Sequence, residues 1–135
     1  MNVFTIAALS KSNTKALLII MFTIYHNPRC SKSRQTLALL EENNIEPEIV
    51  LYLETTPDAD TIKTLLGKLG IGARELLRKG EEAYKQNNLK DTGLSEQQLV
   101  DAMVAHPKLI ERPIVVKGDQ AVLGRPPENV LALID

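Results

Sequence analysis

The fold is decided by one stretch of chain: Phe22-Thr-Ile-Tyr25, His26-Asn-Pro-Arg29, Cys30 and Ser31-Lys-Ser-Arg-Gln-Thr-Leu-Ala-Leu-Leu40. The first four residues form a short apolar run typical of a buried strand, and the last ten have the character of a helix. A strand that leads through a short polar loop into a helix is a building unit of α/β domains. The sequence therefore predicts a thiol at the start of a helix, just after a strand.

The thiol of Cys30, the only cysteine, is a candidate nucleophile. The first N–H groups of a helix have no intrahelical partner, and together with the helix dipole they favour a thiolate. His26, Arg29, Lys32 and Arg34 add nearby positive charge. Lowering the thiol pKa by two units, about 2.7 kcal/mol, would make the thiolate dominant at pH 7. The alternative is that Cys30 is a small buried hydrophobe, as most free cysteines are.

From Phe22 onward, strand and helix patterns alternate, which predicts an α/β sheet with flanking helices. Thr56-Pro57 resembles an N-cap with proline at the first helical position, and Ser95-Glu-Gln-Gln98 matches a capping box. The predicted elements are a strand at 22–25, a helix at 31–43, a strand at 49–53, a helix from 56 to 69, a helical insertion at 73–94, a helix at 95–104, a hairpin at 113–123 and a short C-terminal helix at 127–134.

Composition narrows the function classes. The 135 residues suffice for one domain, and the net charge of −1 argues against a general nucleic-acid or membrane-surface binder. A single cysteine allows no internal disulfide, which favours a cytoplasmic setting, and no cluster has metal-ligand spacing. Residues 1–20 are too charged to span a bilayer and lack the pattern of a signal peptide. We interpret them as an extension of uncertain role before a domain at 21–135.

Three arginines stand at the edges of predicted elements: Arg78, Arg112 and Arg125. A guanidinium stays charged and offers a planar fork to an oxyanion, so several of them beside one thiolate would bind an anionic substrate. The alternative is three solvated surface charges. The Arg112-Pro113 bond is a candidate for the cis form.

Several motifs together carry a family resemblance. They are the stretch from Phe22 to Arg34, Tyr52-Leu-Glu-Thr55, Leu76-Leu-Arg-Lys79, His106-Pro107, Glu111-Arg-Pro-Ile-Val-Val116 and Gly124-Arg-Pro126. In this order, from about Met21 to the C-terminus, the chain resembles the glutaredoxin-coupled arsenate reductases of the ArsC type.

The resemblance implies a thioredoxin-like mixed sheet flanked by helices, with an inserted helical segment. It also implies reduction of arsenate to arsenite through a covalent Cys30–arsenate intermediate, with glutathione as thiol co-substrate, glutaredoxin as partner, and no bound cofactor or metal. The site residues it implies are Cys30 as nucleophile, His26 in support of the thiolate, Ser33 in the anion loop, and Arg78, Arg112 and Arg125 as ligands of the oxyanion.

Two alternative functions remain open at the level of the sequence. One is a regulatory module similar to the Spx-type proteins, which share this fold and bind RNA polymerase. Such sensors typically carry a Cys-x-x-Cys switch, and Ser33 stands where the second cysteine would be. The other is a general glutathione-dependent thiol reductase.

Overall fold

A mixed four-stranded sheet forms the centre of the computed structural model, which describes residues 22–134. Its strands are β1 (Phe22–Tyr25), β2 (Glu48–Val50), β3 (Ile114–Lys117) and β4 (Gln120–Leu123), in the order β2-β1-β3-β4. Strand β1 pairs parallel with β2 and antiparallel with β3, and β3 pairs antiparallel with β4. The predicted extension at residues 1–20 lies outside the described residues.

Apolar side chains lie on both faces of this sheet, because successive residues of β3 point to opposite sides. Val115 packs in a cluster with Phe22, Ile24 and Leu40. Its neighbours Ile114 and Val116 pack in a second, larger cluster. The first cluster lies under helix α1 (Ser31–Glu42) and the C-terminal 3-10 helix (Pro127–Leu133).

The larger cluster is covered by the helical region that follows β2. Its helices are α2 (Ala59–Leu69), α3 (Ala73–Leu76), α4 (Glu82–Gln86) and α5 (Glu96–Ala105), and a 3-10 helix at Pro107–Leu109 follows them. Helices on both faces of a mixed sheet confirm the predicted fold class, including the helical insertion at 73–94. Within residues 22–134, no helix combines the length and apolar character needed to cross a bilayer.

The ends of two elements differ from the prediction. Helix α2 begins after Asp58 and not after Thr56, because the Asp58 carboxylate accepts a hydrogen bond from the backbone N–H of Thr61 at 2.8 Å. Strand β2 ends at Val50, and the chain turns over Leu51–Leu53 through bonds from the N–H groups of Glu54 and Thr55 to the Leu51 carbonyl. This turn carries Tyr52, whose side chain is buried in the larger cluster.

Other predicted signals are confirmed. Ser95 caps α5, with its hydroxyl accepting from the Gln98 N–H and the Gln98 side chain accepting from the Ser95 N–H. Gly70 ends α2 in the left-handed region, at φ 70°, where glycine has no steric penalty. The Arg112-Pro113 bond is cis, and so is Arg125-Pro126.

Candidate active site

The register of the sheet brings three chain segments to one edge. Tyr25 at the end of β1 pairs with Ile114 at the start of β3, which pairs with Leu123 at the end of β4. Because β3 runs antiparallel to its two neighbours, the loop after β1, the residue before β3 and the loop after β4 meet at the same edge. The edge therefore collects Cys30, Arg112 and Arg125.

Arg78 joins this group through the helical insertion. An isolated antiparallel bridge pairs Leu77 with Ile110. The Arg78 N–H donates to the Leu109 carbonyl at 2.7 Å, and the Glu111 N–H donates to the Leu76 carbonyl at 2.8 Å. These bonds hold the chain around Arg78 against the chain that leads into β3.

The Cys30 sulfur lies at the N-terminus of α1, where Cys30 is the N-cap residue and is partly exposed. Partial burial acts to raise the pKa of this thiol, but the backbone N–H of Ser33, the Arg112 guanidinium and the backbone N–H of Lys32 together lower the pKa below its ordinary value. Arg125 Nη1 lies 3.8 Å from the sulfur. The site thus favours a thiolate, as expected from its position at a helix start.

The side chain of Ser33 holds the loop between β1 and α1 in place. Its buried hydroxyl lies 2.7 Å from His26 Nδ1 and accepts a hydrogen bond from the Asn27 N–H at 3.0 Å. Burial and the nearby Arg34 charge lower the pKa of His26, against a smaller opposite effect of Glu41, so its ring favours the neutral form. The contact of His26 is therefore with Ser33. Any effect of His26 on the Cys30 thiol is indirect and acts through the loop that Ser33 holds.

The local cations singled out in the sequence have other contacts in the fold. Arg34 donates to the Pro28 carbonyl at 2.9 Å, and Lys32 acts on the sulfur through its backbone N–H. The guanidinium groups next to the sulfur belong to Arg112 and Arg125, which are remote in sequence. Folding brings together Cys30 and the three arginines that the sequence selected.

Two carboxylates lie among these arginines, and neither was predicted as a site residue, although Glu111 belongs to one of the motifs of the family resemblance. Glu111 Oε1 accepts from Arg78 Nη1 at 2.7 Å and lies 3.5 Å from Arg125 Nε. Glu81 Oε2 lies 3.3 Å from Arg78 Nε and 4.0 Å from Arg112 Nη1. Burial acts to lower the pKa of Arg78, but Glu111 and Glu81 outweigh it and raise that pKa. The carboxylates fix the guanidinium groups and partly balance their charge.

The Cys30 thiol thus lies at a helix start beside Arg112 and Arg125, and Arg78 is joined to them through Glu81 and Glu111. The sequence that builds this arrangement matches a family model. The model of the ArsC family covers residues 25–133. The chain belongs to the ArsC family. Among its relatives, the arsenate reductase of Haemophilus influenzae is 49% identical over 112 residues, which are 82% of this chain and 97% of that protein. The Escherichia coli K12 protein that carries the name Uncharacterized protein YfgD is 61% identical over 112 residues, or 82% of this chain and 94% of YfgD.

A solved structure is similar to this ArsC-family protein in fold as well. The arsenate reductase from Vibrio cholerae superimposes with a TM-score of 0.81 at 54% identity, over 82% of this chain and 95% of that one. These similarities extend over nearly the whole of the relatives, so the family assignment rests on the complete domain.

A cleft of about 270 Å³ opens between the loop after β1, the turn that carries Tyr52, and Arg112. Its lining residues are Asn27, Arg29, Tyr52, Leu53, Glu81, Lys108 and Arg112. Tyr52 was not predicted as a site residue, although it opens the Tyr52-Leu-Glu-Thr55 motif of the family resemblance. In the part of the chain that the structure describes, no three His, Cys, Asp or Glu side chains lie together as metal ligands would.

Proposed function

We propose that this protein is an arsenate reductase that uses Cys30 as its nucleophile and glutathione with glutaredoxin as its source of electrons. The observation that carries the proposal is the Cys30 sulfur, with a lowered pKa, 3.8 Å from Arg125 Nη1 and in contact with the Arg112 guanidinium. A thiolate between guanidinium groups is suited to attack the central atom of a tetrahedral oxyanion. The names of the relatives make arsenate the leading substrate.

In the first step, the Cys30 sulfur forms a bond to arsenic(V), and one arsenate oxygen leaves as water after protonation. Arg112 and Arg125 stabilise the remaining oxygens, together with the backbone N–H groups of Ser33 and Lys32 at the start of α1. Those N–H groups already lower the thiol pKa in the free protein. The same donors thus serve the thiolate before attack and the oxyanion during it.

Reduction needs two electrons, and Cys30 is the only cysteine of this chain. A glutathione thiolate binds the arsenic of the Cys30 adduct and displaces a second oxygen as water. A glutaredoxin thiolate then attacks the glutathione sulfur, so that a glutaredoxin–glutathione disulfide forms and the electron pair of the broken arsenic–sulfur bond stays on arsenic. Hydrolysis of the Cys30–arsenic(III) bond releases arsenite and restores the thiol.

The cleft lined by Arg112, which contacts the Cys30 sulfur, supports a peptide co-substrate. Arg29 and Lys108 line it together with Arg112, which gives positive charge for the two carboxylates of glutathione. A reducing cytoplasm is the setting in which a lone catalytic thiol and its glutathione remain reduced, and we place the reaction there.

The test is arsenite production by purified protein with arsenate, glutathione and glutaredoxin. We expect arsenite from the unaltered protein and none from Cys30→Ser, with Ser31→Ala as a control for a change at the start of the same helix. Production without glutaredoxin would contradict the proposed electron donor but not the reductase activity. Absence of Cys30-dependent arsenite would contradict the function itself.

A further inference from the structure

Two buried donors beside the thiol have no hydrogen-bond partner. Among the side chains of residues 22–134, Tyr52 Oη and Arg112 Nε are the buried polar atoms in this condition. Both residues line the cleft of about 270 Å³, and Arg112 also contacts the Cys30 sulfur. An unpaired buried donor destabilises a folded protein, and a ligand that accepts its hydrogen bond removes that penalty.

Tyr52 is fixed in place by its ring and by the turn that carries it. The residue is 1% exposed, and its ring packs in the larger core cluster. The N–H groups of Glu54 and Thr55 both bond to the Leu51 carbonyl and define the turn over Leu51–Leu53. The hydroxyl is therefore held rigidly and requires no reorganisation to meet a ligand.

The hydroxyl of Tyr52 lies within the electrostatic influence of the site. Burial raises its pKa, the Cys30 thiolate also acts to raise it, and Arg112, Arg78 and the side chain of Asn27 act to lower it. Asn27 lies near the hydroxyl but makes no hydrogen bond of good geometry with it, and its Oδ1 accepts from the Arg29 N–H at 3.0 Å. The phenol thus stays protonated at neutral pH and is a neutral donor. Unlike a guanidinium, which can only donate, a phenol can also accept a hydrogen bond from a protonated oxygen of the substrate.

We propose that Tyr52 is a substrate-binding residue whose hydroxyl, beside Arg112 Nε, forms a hydrogen bond with an oxygen of the tetrahedral oxyanion at Cys30. This inference rests on the proposed function, because it assumes an oxyanion next to the sulfur. Arg78 and Arg125 share Glu111, whereas Arg112 Nε and Tyr52 Oη have no internal acceptor. The substrate completes the bonds of these two donors.

The test compares Tyr52→Phe with Tyr84→Phe. Tyr84 is a half-buried tyrosine of the helical insertion, so Tyr84→Phe is the control for loss of a tyrosine hydroxyl elsewhere. The probes are arsenate, phosphate and sulfate, and the measurement is the anion concentration that half-protects Cys30 from alkylation. Loss of a hydrogen bond to an anion weakens binding about 10-fold or more, so we expect that shift for Tyr52→Phe and none for Tyr84→Phe. The stability of Tyr52→Phe without anion should be unchanged or higher, because an unpaired hydroxyl is removed.

Three outcomes would overturn the inference. Equal protection in Tyr52→Phe and the unaltered protein would overturn it while leaving the proposed function intact. Lower stability of Tyr52→Phe without anion would show that the hydroxyl supports the fold. If no anion protects Cys30 in the unaltered protein, the inference and the proposed function are both wrong.

Discussion

The two halves of the site differ in how the chain builds them. On the thiol half, the bonds among His26, Asn27, Arg29 and Ser33 join residues two to seven positions apart. On the guanidinium half, Arg78 meets Glu111 across 33 positions and Arg125 meets Cys30 across 95. The thiol half is thus a local structure, whereas the guanidinium half exists only when the sheet and the insertion are both in place.

This difference separates two sources of thiol reactivity. Backbone N–H groups at the start of α1 accompany any state in which that helix is formed. The contribution of Arg112 to the lowered pKa of Cys30 requires the register that places the start of β3 beside the end of β1. Damage to the guanidinium half should therefore weaken the site without abolishing the loop.

The largest effect is expected from Arg112→Ala. It removes a guanidinium that contacts the sulfur, so the pKa of Cys30 should rise, and oxyanion affinity should fall roughly 10- to 100-fold from the loss of charge-assisted hydrogen bonds of about 1.5–3 kcal/mol. The measurements are the pH profile of Cys30 alkylation and its protection by arsenate. Arg74→Ala is the control, because Arg74 binds the Leu89 and Asp91 carbonyls within the insertion. Unchanged thiol reactivity in Arg112→Ala would mean that the thiol half alone is sufficient to lower the pKa of Cys30.

Gly124→Ala should disturb the contact between the two halves. A Cβ on this buried residue would lie against Thr36 and 2.8 Å from Pro113 Cγ, so these side chains or the chain that carries Arg125 must shift. Overpacking of this kind lowers the free energy of unfolding by about 1–3 kcal/mol, and the displaced Arg125 should also weaken anion binding.

Urea unfolding and anion protection of Cys30 measure the two effects of Gly124→Ala. Gly67→Ala in α2 is the control, because nothing lies within 4 Å of its added Cβ. It should raise stability by about 0.5–1 kcal/mol without a change at the site. Gly124→Ala with normal stability would show that this close approach is easily relieved.

Ser95→Ala tests whether the helical region can be destabilised without a change in the reactivity of Cys30. Loss of the N-cap bond from Gln98 N–H to Ser95 Oγ should lower the free energy of unfolding by about 1 kcal/mol, as measured in urea. Cys30 alkylation under native conditions should not change, because no cap contact reaches the thiol. A clear shift in thiol reactivity would reveal coupling from α5 to Arg78 through the 3-10 helix at Pro107–Leu109.

The smallest effect is the pH dependence of stability contributed by Cys30, whose sulfur is partly exposed and so partly screened by solvent. Its pKa in the folded protein lies below the ordinary value. The stabilisation is therefore complete above the unfolded-state pKa and is lost as pH falls through the folded-state pKa. Urea unfolding over that window should show stability rising with pH more for the unaltered protein than for Cys30→Ser. Parallel curves would contradict a depressed pKa.

Local signals in the sequence predicted much of the fold. β1, the capping box at Ser95 and the stop at Gly70 follow from periodicity and capping over a few residues. The start of α2 was predicted two residues early, because Thr56-Pro57 and Asp58 both offer a cap and only the fold selects Asp58. Strand β2 was predicted too long at its C-terminal end, because an apolar run does not reveal that the chain turns at Leu51.

The sequence by itself determined that a single thiol follows a strand and begins a helix, since these features depend on hydrogen bonds and side-chain spacing within about ten residues. It also selected Arg78, Arg112 and Arg125 as residues at element edges. Only the tertiary structure decided that Arg112 and Arg125 face the sulfur, that Glu81 and Glu111 lie between the arginines, and that Tyr52 Oη is buried without a partner. The physical reason is that these neighbours are set by strand register and packing across the whole domain, which no local pattern encodes.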